Sequence, residues 1–406
     1  ACFYQAANTV PESGTGFSLG IERPADVVRP THAFVDLERL ISNYHVIRRH
    51  LSSGRAVTPP RIISVIKANA YGHGAVEIAR ALEARDGSFG QSILACADIE
   101  EGVQLRQAGI RAPVLVFGAL SVSDLEGLFQ YDLTPTISSP AAALRLRLAA
   151  RSRGRRLRVH VKVDTGMNRF GFRHDNIQQT LPEIIRDEQL LIDGVYTHFA
   201  TADNMNHPLF DHQYARFEIV RSVVRKLGLK DTFFHAANSA ALLRDQRTWY
   251  DAVRPGLLLY GVVPPPLKSL LPVKPVLSLR SRVVSVKGMR AGESTGYGAS
   301  FVASRPMRVA VIPAGYADGL DLRLAGKASV LVREQRSLIL AVSMDSAVID
   351  VSRVEVSPGD PVVLVGEQGR EKIDTRELAS LIGTVPHEIL CRTGIRIARV
   401  YEPASF

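Results

Sequence analysis

Cysteine is scarce in this chain. Its three cysteines, Cys2, Cys96 and Cys391, are scattered over 406 residues, form no CxxC pair and have no neighbouring histidine. This pattern excludes a disulfide framework and gives no signal of a zinc site. We therefore expect no metal, and a reducing, cytoplasmic setting fits best.

Long apolar runs are also missing. No stretch approaches the ~18 consecutive apolar residues of a membrane helix, although 46% of the residues are hydrophobic. Residues 1–30 show no basic region followed by an apolar one, so no secretory signal is visible. We expect a soluble protein without a membrane partner, and we interpret residues 1–30 as an N-terminal arm.

The positive charge is not concentrated in one tract. The net charge is +10, but the basic residues occur as dispersed pairs, and the densest group, residues 145–158, resembles the solvated end of a helix. Nucleic-acid binding is therefore not expected.

From about Thr31 the sequence alternates between helical and strand patterns. Asp36 is placed to cap a helix whose apolar residues follow the i, i+3, i+4 spacing. Eight short apolar runs follow, each separated from the next by polar or helical segments. They are Ile62–Ile66, Ser92–Cys96, Val114–Phe117, Leu133–Ile137, Leu157–Val163, Leu191–His198, Thr232–Ala236 and Asp251–Val253. Eight strands with intervening helices favour an α/β fold, a closed (β/α)8 TIM-type barrel, over an open sheet.

The pattern changes after Gly261. The proline-rich segment at residues 262–275 cannot continue a helix. Beyond it strand-like runs dominate, with one clear helical segment near Thr375–Leu381. We therefore predict a barrel domain over residues 31–262 and a β-rich C-terminal domain over residues 263–406.

The most informative segment is an apolar strand that ends directly in Lys67, before a turn containing glycines. In a TIM-type barrel the carboxyl ends of the strands form the active face. A lysine that points into a partly desolvated mouth loses its proton more readily than a surface lysine, and can then form a Schiff base. Taken alone, however, a lysine at the end of a strand more often reaches solvent.

Resemblance to a known family decides between a Schiff-base lysine and a solvent-exposed lysine at position 67. VIKANAYGHG around Lys67 resembles the cofactor-lysine motif of alanine racemases, and the similarity extends from about Thr31 to Tyr401. The other matching segments follow in family order: VKVDTGMNRFGF (161–172), GVYTHFATAD (194–203), HAANSA (235–240), VRPGLLLYG (253–261), GESTGYGASF (292–301), PAGYADG (313–319) and VSMD (342–345).

The resemblance implies an amino-acid racemase of fold type III that depends on pyridoxal 5'-phosphate. Lys67 would hold this cofactor and act as the acid/base on one face of the substrate α-carbon. Tyr297 would act on the other face, from the second domain of the partner subunit. A homodimer with shared active sites is thus implied.

Further roles are carried over from the family motifs. Arg254 would face the pyridine nitrogen, with His235 supporting it. The remaining cofactor contacts would come from Tyr71, His198, Ser239, Gly256 and Leu257. Of these, Ser239 and the amides around Gly256 and Leu257 would bind the phosphate of the cofactor. These contacts also have a physical basis, because RPG (254–256) before an apolar run can open a short helix whose amides favour anions. On the substrate side the resemblance implies Arg169 and Met344, with Lys162, a carbamylated lysine in many members, and Asp345 in support.

Some positions depart from the family pattern. Leu340-Ala341 stand where Gly-Arg is common, Leu322 where many members carry arginine, and Ile395 where some have a tyrosine that contacts the phosphate. Asn168 replaces the usual glycine before Arg169. Because Lys67 and Tyr297 are intact, we expect effects on substrate access, substrate choice or rate.

Alanine is the first substrate expected, supplying D-alanine for cell-wall precursors. A serine, lysine or broader-specificity racemase stays open, because side-chain packing sets the pocket width. A fold-related decarboxylase would lack Tyr297 and normally offer a cysteine opposite. A non-catalytic pyridoxal-phosphate-binding protein would typically be a barrel without the second domain.

Overall fold

The computed structural model describes residues 29–402, apart from residues 54–57, 86–91, 119, 121, 187 and 270. The predicted N-terminal arm therefore lies almost wholly outside the described residues. None of the helices in the described chain combines the length and apolar content needed to span a bilayer. The described residues also bring together no group of three histidine, cysteine or acidic side chains suited to hold a metal ion.

Strand β1 (His32–Asp36) leads directly into helix α1 (Leu37–Ser53). The Asp36 carboxylate accepts a hydrogen bond from the Arg39 amide at 2.8 Å, as expected for a capping residue. The predicted apolar face of α1 is buried at Leu40, Ile41, Tyr44, Ile47 and Leu51.

Eight parallel strands form the barrel. They are β2 (Arg61–Val65), β3 (Ser92–Cys96), β4 (Val114–Val116), β5 (Thr134–Ile137), β6 (Leu157–Asp164), β8 (Leu190–Tyr196), β9 (Phe233–Asn238) and β10 (Ala252–Arg254), with the short β7 (Phe172–Arg173) beside β6. Their order is β5-β4-β3-β2-β10-β9-β8-β6, and pairing of β5 with β6 closes the ring. The predicted barrel is confirmed. Single strand ends differ; the predicted Leu191–His198 run, for example, is a strand that stops at Tyr196.

The segments between the strands carry the helices that surround the barrel. These are α3 (Ala75–Arg85), α4 (Ile99–Gln107), α5 (Glu126–Gln130), α6 (Pro140–Ser152), α7 (Ile177–Ile185), α8 (Leu209–Lys226) and α9 (Ser239–Arg244). The short segment α2 (Lys67–Tyr71), between β2 and α3, is a left-handed turn at residues 68–71. Local sequence sets several of their starts. Ser139 caps α6, and Pro140 occupies its first turn, where its missing amide hydrogen costs nothing.

The second domain is built mainly from strands. They are β11 (Leu277–Arg282), β12 (Ser285–Met289), β13 (Ser294–Thr295), β14 (Phe301–Val302), β15 (Met307–Ile312), β16 (Ser329–Val332), β17 (Gln335–Val342), β18 (Ala347–Asp350), β19 (Pro361–Gln368), β20 (Glu371–Ile373) and β21 (Ala398–Glu402). The prediction of a β-rich domain is confirmed. Helix α10 (Thr375–Ile382) matches the predicted helical segment, whereas α11 (Pro386–Cys391) was not predicted, because six residues are too few for a periodic signal.

Strand β1 belongs to the sheet of the second domain, although the predicted division places residues from 31 onward in the barrel. It pairs antiparallel with β11, Phe34 opposite Ser278, and parallel with β21, Phe34 opposite Val400. A period-2 pattern identifies a strand but not the sheet that it joins. The chain thus crosses from the second sheet to the barrel between Asp36 and Leu37.

Helix α11 contacts the barrel at Gly72, which follows α2. Gly72 has φ +81, and a Cβ atom there would lie 2.3 Å from the backbone oxygen of Leu390. Glycine is required twice over, by the left-handed backbone and by this close approach.

We predict that Gly72→Ala destabilises the protein more than Gly109→Ala does. Gly109 is also left-handed, at φ +87, but a Cβ atom there would meet nothing within 4 Å. The additional loss in the free energy of unfolding should be about 1–3 kcal/mol, the usual cost of overpacking. Chemical denaturation of the two variants measures this difference, and equal losses would contradict the close contact.

Candidate active site

A cavity of about 430 Å³ opens where the barrel strands end. It gathers most of the predicted site residues, which lie on or after the ends of five strands. Those that line it are Lys67, Tyr71, Lys162, Arg169, His198, Ser239, Arg254, Gly256 and Leu257. The predicted residues outside its lining are His235, which lies behind Arg254, and Tyr297, Met344 and Asp345 in the second domain.

The backbone after Lys67 makes a left-handed turn. Ala68, Asn69 and Ala70 have φ between 52 and 54, and Tyr71 also has φ 52. Residues with side chains pay roughly 1–2 kcal/mol each for this conformation. The turn places the side chains of Lys67 and Tyr71 in one cavity, so the unfavourable backbone conformation coincides with the active site. Nothing in a sequence of alanine, asparagine and tyrosine predicts four such residues in a row.

His73 is one of the groups that hold this turn, a role that the sequence did not reveal. It is fully buried, and its Nδ1 lies 2.9 Å from the oxygen of Ala70 and 3.0 Å from that of Tyr71. Burial lowers the pKa of His73 to about 4, so the ring is neutral at neutral pH, and Nδ1 must carry the hydrogen that these carbonyls accept. Its ring also stacks on Tyr260 at 4.3 Å.

Glu101 is a second residue that sequence reasoning missed. Its carboxylate accepts hydrogen bonds from the amide of Ala68 at 2.6 Å and from the amide of Ala97 at 2.7 Å. One side chain of α4 thus joins the turn after β2 to the loop after β3. The spacing of Asp98 and Glu101 signals the start of a helix, but nothing local signals a contact with an amide 33 residues earlier in the chain.

The environment of Lys67 favours its neutral form. Burial lowers the pKa of Lys67, and the positive charge of Arg169 lowers it further, while Glu101 opposes the shift. A larger share of Lys67 is therefore the free amine, the form that attacks a carbonyl carbon or accepts a proton.

Arg254 lies at the centre of a buried polar chain. Its guanidinium donates to Nδ1 of His235 at 2.7 Å and to the carbonyl oxygens of Thr197 and Ala236 at 2.6 and 2.9 Å. Because a guanidinium only donates, His235 must accept at Nδ1 and carry its hydrogen on Nε2, which lies 3.0 Å from Nδ1 of His160. Burial, then the charge of Arg254, holds the pKa of His235 well below its ordinary value.

His198 shares this environment. Its ring lines the cavity two residues beyond the end of β8, with Nδ1 3.4 Å from the Arg254 guanidinium. Burial and the charge of Arg254 depress the pKa of His198 strongly, so it is a neutral ring at neutral pH.

The part of the cavity lined by Ser239, Gly256 and Tyr71 can bind an anion. The Ser239 oxygen accepts hydrogen bonds from the amides of Gly256 at 3.0 Å and Leu258 at 3.3 Å, so its own hydrogen can point into the cavity. A Cβ atom on Gly256 would lie 2.4 Å from the hydroxyl oxygen of Tyr71, so only glycine allows the tyrosine to approach. Helix α9 begins at Ser239, with Asn238 as its cap.

The charges that line the cavity are unbalanced. Four of the described lining residues are basic, against one carboxylate, that of Asp203. The basic residues are Lys67, Lys162, Arg169 and Arg254. Burial, followed by the charges of Arg169 and Arg254, lowers the pKa of Lys162 to about 8. Such a site is complementary to an anionic ligand.

Tyr297, Met344 and Asp345 lie on the exposed surface of the second domain. Tyr297 is 84% and Met344 51% exposed. The 343–344 backbone rests on the PAGYADG turn, where a Cβ atom on Gly315 would lie 2.2 Å from the oxygen of Ser343. Asp345 is held by Arg396 at 2.6 Å. The backbone at Met344 and the side chain of Asp345 are thus held in place, and all three residues lie outside their own chain's cavity.

The departures from the family pattern fall into different environments. Leu340 and Ala341 are buried in β17, whereas Leu322 is 54% and Ile395 99% exposed. Asn168 has φ 55, a left-handed conformation that asparagine tolerates better than most residues.

Comparisons with known proteins agree over about nine-tenths of the chain. The family profile "Alanine racemase, N-terminal domain" matches residues 35–264, and "Alanine racemase, C-terminal domain" matches residues 276–401. An alanine racemase of Carboxydothermus hydrogenoformans is 39% identical over 378 residues, which cover 92% of this chain and 100% of that protein. One of Nostoc sp. is 39% identical over 375 residues, 90% of this chain and 94% of the relative.

Solved structures give the same result. The alanine racemase of Clostridium difficile 630 superposes with a TM-score of 0.85 at 31% identity, over 93% of this chain and 97% of that one. The Bacillus anthracis enzyme with bound L-Ala-P has a TM-score of 0.82 at 33% identity, over 94% and 97%. Fold, site and likeness together define a two-domain barrel isomerase. The chain belongs to the alanine racemase family, which is dependent on pyridoxal phosphate.

We predict that Glu101→Ala lowers the free energy of unfolding by about 2 kcal/mol, because two amides lose a charged acceptor. The amide of Ala68 should also exchange its hydrogen faster with solvent. Glu100→Ala is the matched control, since the neighbouring side chain is exposed. Denaturant titration and hydrogen exchange measure both effects, and equal behaviour of the two variants would remove Glu101 from this role.

Proposed function

We propose that this isomerase interconverts L-alanine and D-alanine, with pyridoxal 5'-phosphate held at Lys67. The observation that carries the proposal is the pairing of a lysine of lowered pKa with the buried Arg254 in one cavity at the barrel mouth. The relatives matched over nine-tenths of the chain are named alanine racemases. D-alanine for cell-wall precursors is the corresponding biological product.

The residues present fit this cofactor. A phosphate needs hydrogen-bond donors, and the hydroxyls of Ser239 and Tyr71 lie in one wall beside the start of α9. The amides around Gly256 and Leu257 would complete the set, that of Gly256 by giving up its hydrogen bond to Ser239. The excess of basic side chains suits a cofactor that is itself an anion. When bound, pyridoxal phosphate supplies an electron sink that weakens the Cα–H bond of the amino acid.

Arg254 would set the strength of this sink. If Arg254 faced the pyridine nitrogen, that nitrogen would have to accept a hydrogen bond and would stay unprotonated, because a guanidinium presents only donors. Electron withdrawal by the cofactor would then be weaker, which would favour return of the proton to the α-carbon over transamination. His235 and the carbonyl oxygens of Thr197 and Ala236 hold Arg254 in place, and His198 would pack against the ring.

Two bases on opposite faces would exchange the α-proton. Lys67 would serve one face and Tyr297 of the partner subunit the other, which requires a homodimer. The exposure of Tyr297 and its place outside its own cavity support this arrangement. Met344 and Asp345 of the partner subunit would border the substrate carboxylate.

Arg169 would bind the substrate carboxylate, with Lys162 in support. A pKa of about 8 leaves an appreciable share of Lys162 as the free amine near neutral pH, and this is the form that reacts with carbon dioxide. Amine and carbon dioxide would give a carbamate and release one proton. The resulting anion beside Arg169 would steady the guanidinium and reduce the positive charge of the site.

The experiment that tests this function is incubation of the holoenzyme with L-alanine in deuterated water, followed by chiral separation and mass analysis. We expect D-alanine that carries deuterium at Cα. Lys67→Ala should abolish exchange and isomer formation alike. Repeating the measurement with serine and lysine then distinguishes an alanine-specific enzyme from one of broader specificity. If neither enantiomer of alanine, serine or lysine exchanged its α-proton, the racemase function would be rejected.

The shared active site predicts a specific recovery of activity. Lys67→Ala subunits should be inactive, and Tyr297→Phe subunits should lose on the order of 10²–10⁴ in turnover. A mixed dimer has one doubly altered site and one intact site, so random mixing should restore about one quarter of the activity of the unaltered protein. Turnover after denaturation and refolding of the mixture measures this. If both residues acted in one chain, mixing would restore nothing.

A further inference from the structure

A second cavity, of about 290 Å³, lies between the barrel and the sheet of the second domain. It is lined by β1, β11 and β19, by the segment that follows β10, and by residues around the start of α10. No described residue lines both this interdomain cavity and the active-site cavity. Its volume lies near the lower end of the range for small-molecule sites, so any ligand must be small.

Arg280 projects a cation into the interdomain cavity without a partner for its hydrogen bonds. The guanidinium packs on the ring of Phe34, 4.4 Å from its centroid. Its Nε is buried, and within the described chain it has no hydrogen-bond acceptor and no ion pair. A buried donor normally has an acceptor, so an unpaired guanidinium beside a cavity marks a place for an anion.

The other basic side chains around the cavity are engaged. Arg39 pairs with Asp36 at 3.0 Å and lies 3.7 Å from Glu367, while Lys372 lies 3.7 Å from Asp374. Arg376 donates to the carbonyl oxygen of Leu267 at 3.3 Å. Arg280 is therefore the cation that a ligand can address without breaking an existing pair.

The rest of the lining restricts the ligand further. Tyr260, Val276 and Leu277 supply apolar surface next to the charged groups. Asp36 and Glu402 stand opposite each other in neighbouring strands, so two carboxylates already occupy one side. A second negative charge on the ligand would be repelled there. We infer that the interdomain cavity is a second ligand site, which takes small organic monocarboxylates with Arg280 as their anchor.

The two cavities are separated by a thin wall. The hydroxyl of Tyr260, which lines the interdomain cavity, donates to the backbone oxygen of Val65 at 2.9 Å, two residues before Lys67. In α11, Leu390 faces the interdomain cavity, whereas His387 and Cys391 line the active site. Because a carboxylate could also enter the active site, a binding experiment must first fill that site.

The test uses the holoenzyme with saturating alanine and three four-carbon probes: butyrate, 4-aminobutyrate and succinate. Ligand-observed saturation-transfer NMR measures their binding. We expect butyrate and 4-aminobutyrate to bind saturably and succinate to bind at least about tenfold more weakly. Arg280→Gln should weaken butyrate by about tenfold or more, the usual worth of a charge-assisted hydrogen bond, and Arg280→Lys should recover part of the loss.

Arg282→Gln is the matched control. Arg282 lies on the same strand, but it is exposed and donates to the carbonyl oxygen of Gly359, so this variant should bind like the unaltered protein. Circular dichroism and thermal melting establish that each variant is folded. Absence of saturable butyrate binding, equal binding by Arg280→Gln, or equal binding of succinate would each overturn the inference.

Discussion

The burial of one cation, the guanidinium of Arg254, constrains the rest of the active site. Burial lowers its pKa to about 10, so it is still charged at neutral pH. It offers only donors, and the surrounding residues must therefore accept: two backbone carbonyls and Nδ1 of His235. Its charge also helps lower the pKa of His198 and of Lys162. Replacing Arg254 would thus change the protonation of its neighbours as well as one contact.

The second constraint is the left-handed turn after Lys67, which links the two domains. The carbonyl oxygen of Gly72 accepts a hydrogen bond from Arg399 at 3.1 Å, and Gly72 lies against the backbone of α11. The second domain therefore supports the lysine of its own chain, in addition to presenting Tyr297 on its surface. From the barrel side, Glu101 and His73 hold the same turn through hydrogen bonds with its backbone.

The sequence predicts the barrel well because each strand is a short apolar run buried on most of its length, as in Ser92–Cys96. It also predicts the residues that gather in the cavity, because motifs such as HAANSA and VRPGLLLYG stand at the ends of strands. The support of those residues was not predictable. Glu101 acts from the first turn of α4 on a backbone amide 33 residues earlier in the chain, and the φ angles at Ala68–Tyr71 follow from tertiary contacts. The sheet that β1 joins depends on partners hundreds of residues away, which local periodicity cannot identify.

The position of β1 has a consequence for how the chain is made. During synthesis β1 leaves the ribosome before every strand of the barrel, yet both of its neighbours, β11 and β21, are made after the whole barrel. While the barrel strands are synthesised, the backbone donors and acceptors of β1 have no strand partner. During this time β1 is an open strand edge with which other chains could pair. Strand β21 lies along one side of β1 and is made after every other described strand, so β1 has neighbours on both sides only once the second domain has been synthesised.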